Sequence, residues 1–446
     1  MYKIIEKCKE LSQLKKNVFS GVVFSGAHSI IALIAYPIYL KYLGAEKYGL
    51  WITLAVIIEF SQFGQLKIET AMIKFIAREY GKKKFKAITE YISTSFYILM
   101  VSFFIIIIIL ALFKYQIAAL IKLEKAFLDD GISLIFYMGF LSGLSFFVNV
   151  IRGVMVGIGR MDIANYVFLF SRIFRFILAV CLLILGYGIW SLYFSHLLYF
   201  ILPLIIWIFI LGHSYHIRIF DPLAFRKEKL KELIKLGGTL LVGTIAHMFV
   251  VPFNKVIIAR YVGLSAVTFY QIAFQLVMAI RSLFVLGLES TLPKISEIYK
   301  ETIESLKSVL SVHKKGMIFV LLFAFPLFLS IFIFANPILR IWLGGGFDIQ
   351  IAIVLRILVI GWLINALAVP DYYMFIGIDK AGYSVSATCL KSFTNVTLIL
   401  VLLFLDIRFT LIKVAAIDSL SLIVAVIFLK YKYFEFRKLN SVAWNK

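Results

Sequence analysis

The sequence predicts an all-α polytopic membrane protein with about twelve transmembrane helices. They would form two six-helix bundles related by a pseudo-two-fold axis along the membrane normal. Hydrophobic residues make up 62% of the 446 positions, and the mean hydropathy is +0.98. A water-soluble domain of this composition could not cover itself with polar surface. The apolar residues form long uninterrupted runs, which excludes the short alternating segments of a β-barrel. A short motif also recurs in both halves of the chain.

Each predicted span is an apolar run long enough to cross about 30 Å of hydrocarbon at about 1.5 Å per residue. The first run is too long for the core of a signal peptide, so it is predicted to be retained. Pro252 lies inside the seventh run, where it either forms a hinge or only bends the helix to fit its neighbours. The twelve spans are approximately 17–43, 48–66, 88–113, 131–151, 163–186, 188–212, 237–262, 265–292, 316–337, 350–376, 381–405 and 409–430.

The charge distribution predicts the orientation. Lys and Arg residues outside the spans concentrate in the N-terminus, the C-terminus and the connections that lead from even to odd spans. The positive-inside rule therefore places both termini in the cytoplasm. The same distribution accounts for the net charge of +22, so no nucleic-acid partner is expected. Basic amphipathic segments at 67–80, 223–235 and 293–315 are predicted to lie in the interface and contact anionic membrane lipids.

An internal repeat predicts the domain organisation. Residues 41–44 (KYLG) end the first span, and residues 260–263 (RYVG) end the seventh. Each motif is followed by a polar turn and another span. Six spans per half would give both halves the same orientation, with a binding site between them near the membrane midplane. The predicted domains are an N-terminal bundle at 1–212, a cytoplasmic linker at 213–236, and a C-terminal bundle with a basic tail at 237–446.

Charged residues inside the predicted spans are the candidate functional residues. An unpaired cation at membrane depth costs roughly 2.5–3.5 kcal/mol, so such residues normally face water or a partner. Here the carboxylates are too few to neutralise the cations. The surplus predicts a water-filled cavity with a positive potential, suited to an anionic group. The basic residues are Arg172, Arg175, Lys255, Arg281, Arg356 and Lys391, and the acidic residues are Glu59, Glu289 and Asp418.

Depth within the span separates these candidates. Lys255, Arg281 and Lys391 lie deepest, and each either lines the cavity or forms a structural ion pair. The basic residues nearer the span ends can instead extend their charged groups to the interface. Asp418 is either a structural partner of Lys391 or Arg356, or a site for a coupling Na⁺ or H⁺. Glu59 is the second candidate for ion coupling.

The sequence predicts that the protein is not an enzyme. It contains no HExxH motif, nucleophile elbow or phosphate-binding loop. Three cysteines are too few and too scattered for a metal site or a disulfide framework. We therefore expect neither a metal nor another cofactor.

Several motifs are shared with one family. They are residues 17–26, 37–44, 48–51 (YGLW), 153–160 (GVMVGIGR), 254–255 (NK) and 341–344 (IWLG). With these motifs the chain resembles the polysaccharide (O-antigen-type) flippases of the multidrug/oligosaccharidyl-lipid/polysaccharide exporter superfamily. The resemblance implies a multi-pass protein of the bacterial plasma (inner) membrane. It also implies alternating access that moves a polyprenyl-pyrophosphate-linked oligosaccharide from the cytoplasmic to the outer leaflet, alongside other glycan-assembly membrane proteins.

One position departs from the family pattern. The family often has an acidic residue where this chain has Asn254, which argues against carboxylate-based ion coupling there. The resulting hypothesis assigns the pyrophosphate to the intramembrane basic residues, with the planar guanidinium of Arg as the better clamp for phosphate oxygens. An ion-coupled multidrug exporter of the same fold is the first alternative, although cationic drugs would favour an acidic lumen. A membrane glycan polymerase or acyltransferase is the second.

Overall fold

The computed structural model describes residues 2–289, 291–300 and 302–444, and these residues form helices and turns without a β-strand. A π-helical turn at Val320–Ala324 joins two of the helices. The α-helices are α1 (Tyr2–Ser61), α2 (Ile68–Gly81), α3 (Phe85–Leu120), α4 (Leu128–Gly157), α5 (Met161–Ile184), α6 (Trp190–Tyr215), α7 (Lys227–Met248), α8 (Val251–Tyr261), α9 (Leu264–Glu289), α10 (Thr291–Ile298), α11 (Ile303–Phe319), α12 (Phe325–Ile333), α13 (Ala335–Leu343), α14 (Ile349–Ala366), α15 (Val369–Gly377), α16 (Ala381–Phe404) and α17 (Leu411–Trp444).

Within the described residues, ten helical stretches are long and apolar enough to cross a membrane. The chain is therefore a multi-pass helical membrane protein, as the sequence predicts. The number twelve and the grouping into two six-helix bundles stay predictions. The ten stretches are Lys15–Ser61, Phe85–Leu120, Lys125–Gly157, Met161–Ile184, Trp190–Tyr215, Leu264–Ile298, Glu304–Ile333, Ile349–Gly377, Ala381–Phe404 and Leu411–Lys438.

The twelve predicted spans and the ten helical stretches of the structure differ at two places in the chain. The first predicted span and most of the second lie in α1, which leaves helical geometry at Gly44 (φ 71°, ψ 171°). Glycine adopts this backbone conformation without a steric penalty, so the helix bends there. The seventh predicted span is not one helix, because α7 ends at Met248 and α8 begins at Val251. Neither of these two pieces is long and apolar enough to cross a membrane by itself.

The chain divides into two compact units, the first reaching Val242 and the second beginning at Gly243. In the first unit α4 packs against α1, α2, α3, α5 and α6. Gly153 allows the close approach of α2, since an added Cβ would lie 2.9 Å from the carbonyl oxygen of Glu69. The apolar face of α2, with Met72 and Ile76, is fully buried in this core. This apolar face therefore packs on protein, and the contact of the basic residues of α2 with anionic lipid stays a prediction.

A hydrogen-bonded network holds the start of α7 against α2 and α3. Tyr91 Oη donates to Glu232 Oε2 at 2.6 Å and accepts from Arg78 Nη2 at 2.7 Å. Burial raises the pKa of Glu232, but the hydrogen bond from Tyr91 and the charges of Lys229 and Arg78 outweigh it, so the pKa lies below its ordinary value. The predicted linker at 213–236 thus includes the first turns of α7, which belong to the first unit.

In the second unit α14 packs against α9, α12, α13 and α17, and α16 packs against α15 and α17. The contact between α14 and α17 is close, because an added Cβ at Gly361 would lie 2.7 Å from the Cα of Ser419. Ser419 Oγ also donates to the carbonyl oxygen of Ile357 at 2.8 Å. This contact sets the register between the two helices that position the polar groups of the unit.

Candidate functional site

The second unit contains a cavity of about 450 Å³ that is lined by five helices and by the break between α7 and α8. Its lining combines cationic, hydroxyl, amide and aromatic groups on an otherwise apolar wall. Such a mixture is typical of ligand pockets, where a few polar groups fix the orientation of the ligand. The polar and aromatic lining residues are Phe274, Arg281, Trp362, Asn365, Tyr372, Tyr373, Ser384, Thr388, Lys391 and Ser392.

Two cations in this cavity meet at one aromatic ring. Arg281 Cζ lies 5.3 Å from the centroid of the Trp362 ring, and Lys391 Nζ lies 5.1 Å from it. Both distances are within the range of cation–π attraction, which favours Trp as the aromatic partner. The ring thereby holds a guanidinium and an ammonium group from α9 and α16 on the wall of one cavity.

Buried hydrogen-bond donors around this ring lack acceptors. Arg281 Nε and Trp362 Nε1 are both buried without a hydrogen-bond partner. Leaving such a group unsatisfied costs about 1–3 kcal/mol. Within the described chain Arg281 also has no ion-pair partner, and no carboxylate lines the cavity. The arrangement is suited to a ligand that supplies negatively charged acceptor oxygens.

Asp418 forms an ion pair with one of the two cations. Its carboxylate is fully buried, lies 3.5 Å from Lys391 Nζ, and accepts a hydrogen bond of 2.8 Å from Tyr270 Oη. The sequence leaves Lys391 and Arg356 open as partners of Asp418, and in the structure Asp418 pairs with Lys391. The Lys391 ammonium group is therefore shared between a buried carboxylate and the cavity.

Side chains of α16 satisfy the carbonyl groups that the break between α7 and α8 releases. Ser392 Oγ donates to the carbonyl oxygen of Ala246, and Asn395 Nδ2 donates to that of Phe249 at 3.2 Å. Asn395 also exchanges hydrogen bonds of 2.9 and 3.3 Å with the buried amide of Asn254. Broken helices inside membranes persist where the freed backbone groups find such partners. Pro252, in the first turn of α8, therefore lies beside a supported break next to the cavity.

Removing the amide of Asn395 is expected to destabilise this break. Asn395→Leu keeps the branching of the side chain but removes the hydrogen bonds that Asn395 makes with the Phe249 carbonyl and the Asn254 amide. At about 1–3 kcal/mol for each of these two buried groups, the free energy of unfolding should fall by about 2–6 kcal/mol. Thermal and denaturant unfolding of the purified protein in detergent measures the change.

The matched control is Thr397→Val, because Thr397 is exposed on the same helix. It should change stability by no more than about 0.5 kcal/mol. A loss below about 1 kcal/mol in Asn395→Leu would show that the break does not depend on these side chains.

Lys255 lies next to Asn254 on α8 and is buried, with 6% of its surface exposed. It is not among the residues that line the cavity. The residue before it, Asn254, pairs its amide with that of Asn395 of α16.

Two further predicted residues lie in the first unit and form a separate cationic cluster. Arg172 Cζ lies 5.7 Å from the ring centroids of both Phe24 and Tyr199, and Arg175 Cζ lies 5.2 Å from Tyr199. Arg175 Nη1 donates to His196 Nε2 at 2.9 Å, because His196 Nδ1 donates to the Leu192 carbonyl oxygen. The Nε atoms of both arginines are buried without an acceptor. Both guanidinium groups thus pack among aromatic rings within the protein.

The remaining predicted residues lie apart from these clusters. Arg356 Nε donates to the carbonyl oxygen of Phe332 at 3.1 Å, outside the cavity lining. Glu59 lies near the end of α1 and is half-buried. No group of three or more His, Cys, Asp or Glu side chains within the described ranges could hold a metal ion.

The sequence did not indicate the aromatic part of the site. Trp362 is an unremarkable member of an apolar run, and only its spacing from Asn365, one helical turn later, indicates a shared face. Tyr372 and Tyr373 follow on the next short helix, α15. A search for polar residues at helical spacing from Trp362 would have found this face.

Solved structures with the same fold are membrane transporters and flippases. A multidrug resistance MATE family transporter of the MOP superfamily, in an inward-facing conformation, has a TM-score of 0.71 at 17% identity, covering 93% of this chain and 96% of that one. The lipid II flippase MurJ, in an inward closed conformation, has a TM-score of 0.70 at 15% identity, covering 92% and 87%. These likenesses show that the chain shares the fold of these two structures.

The family model for polysaccharide biosynthesis proteins matches residues 14–299, and the chain belongs to this family. A curated relative is the Shigella flexneri protein named "Putative O-antigen transporter", which is 22% identical over 209 residues. The match covers 47% of this chain and 48% of that protein, so the chain spans about half the length of the curated relative it matches. The resemblance inferred from the sequence motifs is confirmed.

Proposed function

We propose that this protein is a flippase that moves a polyprenyl-pyrophosphate-linked oligosaccharide from the cytoplasmic to the outer leaflet of a bacterial inner membrane by alternating access. The proposal places both termini in the cytoplasm, in line with the distribution of Lys and Arg between the spans. The observation that carries the proposal is the cavity in which Arg281 and Trp362 present buried donors without acceptors, and no carboxylate is among its described lining residues. A pyrophosphate group supplies the acceptor oxygens and the negative charge that this wall lacks.

Each lining group has a role in this proposal. The planar guanidinium of Arg281 would bind two phosphate oxygens at once, and Lys391 would add a second positive charge. Asn365, Ser384 and the tyrosine hydroxyls would bind glycan hydroxyl groups. Arg172, Arg175 and Lys255 lie outside this cavity lining and stay sequence-based candidates for contact with an anionic substrate. We leave Arg356 out, because its guanidinium is engaged by the Phe332 carbonyl oxygen.

Asp418 is the proposed site of ion coupling. Asp418 Oδ1 lies 3.5 Å from Lys391 Nζ. The carboxylate of Asp418 and the substrate pyrophosphate would therefore compete for the ammonium group of Lys391. A proton or Na⁺ bound at Asp418 would neutralise the carboxylate and release Lys391 to the substrate. Binding of the coupling ion would thereby favour binding of the anion, which is a linkage between two sites.

The direct test is binding to the purified protein of a short polyprenyl-pyrophosphate disaccharide, compared with a hydrophobic cationic drug. We expect the pyrophosphate lipid to bind more tightly and its affinity to fall with added salt, because the interaction is largely electrostatic. A pyrophosphate lipid without the sugar is the control that separates the anionic group from the glycan. Tighter binding of the drug would instead favour the multidrug exporter, which shares the fold.

A further inference from the structure

A second cavity in the C-terminal unit lies between α11 and α17, and the proposed function does not use it. Its volume is about 640 Å³. We call it the α11–α17 groove. Its lining residues are Lys307, Leu310, Ser311, His313, Lys314 and Met317 of α11, and Lys430, Tyr433, Phe434 and Arg437 of α17.

The groove is strongly basic. Lys307 and Lys314 lie on one face of α11, two helical turns apart, and Lys430 and Arg437 have the same spacing on α17. No carboxylate is among the described residues that line the groove. Lys307, Lys314 and Arg437 are exposed, so their charged groups are accessible to a ligand.

Contacts of Asp371 with His313 and Lys430 hold the groove in shape. Asp371 of α15 is fully buried and lies 2.8 Å from His313 Nε2 and 2.6 Å from Lys430 Nζ. The His313 ring stacks on Tyr433 with their centroids 4.5 Å apart. Both carboxylate oxygens of Asp371 are therefore engaged, one by His313 and the other by Lys430.

The surroundings of the groove are apolar. The groove lies at one end of two candidate membrane spans, Glu304–Ile333 and Leu411–Lys438. Phe434 is 59% exposed, and Leu310 and Met317 add partly buried apolar surface beside the lysines. A ligand that fits this surface carries a negative charge and an apolar portion together. This combination favours a lipid over a free phosphate ion.

We propose that the α11–α17 groove binds the phosphate-bearing headgroup of an anionic phospholipid of the surrounding leaflet. The outer cations Lys307, Lys314 and Arg437 contact the phosphate, and Phe434, Leu310 and Met317 contact the glycerol and first acyl carbons. Basic clusters at membrane-span ends attract anionic lipids at about 1 kcal/mol per cation, which is about fivefold in affinity. The site is separate from the cavity at Arg281 and does not depend on the proposed substrate.

The experiment is native mass spectrometry of the full chain in detergent, titrated with phosphatidylglycerol and with phosphatidylcholine of identical acyl chains. We expect phosphatidylglycerol to bind preferentially and Lys314→Gln/Arg437→Gln to weaken it by about 30-fold, at about fivefold per cation. The matched control is Lys315→Gln/Lys438→Gln, which neutralises the neighbouring residue on each helix outside the groove lining. This control should retain the affinity for phosphatidylglycerol.

Three results would overturn the proposal. Equal binding of phosphatidylcholine would remove the charge selectivity, and full competition by millimolar inorganic phosphate would identify a site for the free ion. An equal loss in the control variant would show a general effect of surface charge. Binding of the pyrophosphate disaccharide lipid is measured on the same variants. It should stay unchanged in both, so a failure of the groove and a failure of the proposed flippase function are distinguishable.

Discussion

Arg281→Ala is expected to weaken binding of the polyprenyl-pyrophosphate disaccharide about 100-fold and to abolish its translocation. A bidentate charge-assisted contact between a guanidinium and a phosphate contributes about 3 kcal/mol, which corresponds to this factor. Arg281→Lys should restore part of the affinity, because it keeps the charge but loses the planar fork. Titration of the purified protein measures the affinity, and proteoliposomes with a fluorescent substrate measure translocation.

The control for this experiment is Arg340→Ala. Arg340 is an exposed arginine of α13 in the same unit and lies outside the cavity lining. It should leave binding and translocation unchanged. If Arg281→Ala bound the pyrophosphate lipid as tightly as the unaltered protein, the cavity at Trp362 would not be the anion site.

Asp418→Asn is expected to destabilise the protein by about 3 kcal/mol, because it leaves the Lys391 charge without its buried partner. The second variant, Asp418→Asn/Lys391→Gln, should recover much of this loss, since it removes both charges of the pair. The non-additivity of the two substitutions measures their interaction. Unfolding in detergent gives the free energies for the two single variants and the double variant.

The same variant separates the coupling role of Asp418 from its structural role. If Asp418 binds the coupling ion, Asp418→Asn binds the pyrophosphate lipid with an affinity that no longer changes with Na⁺ or pH. The control is Asp406→Asn, since Asp406 is exposed and its left-handed backbone (φ 51°) also suits asparagine. An ion dependence that persists in Asp418→Asn would assign coupling to another residue, and Glu59 would then be the next to test.

The sequence alone determined the class of the protein. Apolar runs long enough to cross a membrane are a local property, and so is the clustering of Lys and Arg between them. Neither requires knowledge of which helices meet. The family motifs are also short and local, and the match over residues 14–299 confirms the family that they indicate. The break in α1 at Gly44 lies where the sequence predicts a turn between two spans.

The sequence could not determine which helix faces pack together. The apolar face of α2 has the period expected of a helix on the membrane surface, yet Met72 and Ile76 are buried against α4. Helical periodicity identifies an apolar face but does not distinguish lipid from protein as its partner. The partner of the face depends on the three-dimensional packing. Here the close approach of α2 and α4 at Gly153 makes protein the partner.

The same reason applies to the candidate site. Charge and depth identified Arg281, Lys391 and Asp418 as candidates, but only the tertiary structure brought the two cations to Trp362 and paired Lys391 with Asp418. The packing of α14 on α17 through Gly361 sets the register of Trp362 against its neighbours. An intramembrane charge shows in the sequence that a partner or a cavity must exist. Which of the two it has depends on contacts between helices that are distant in the chain, and these form only when the helices pack.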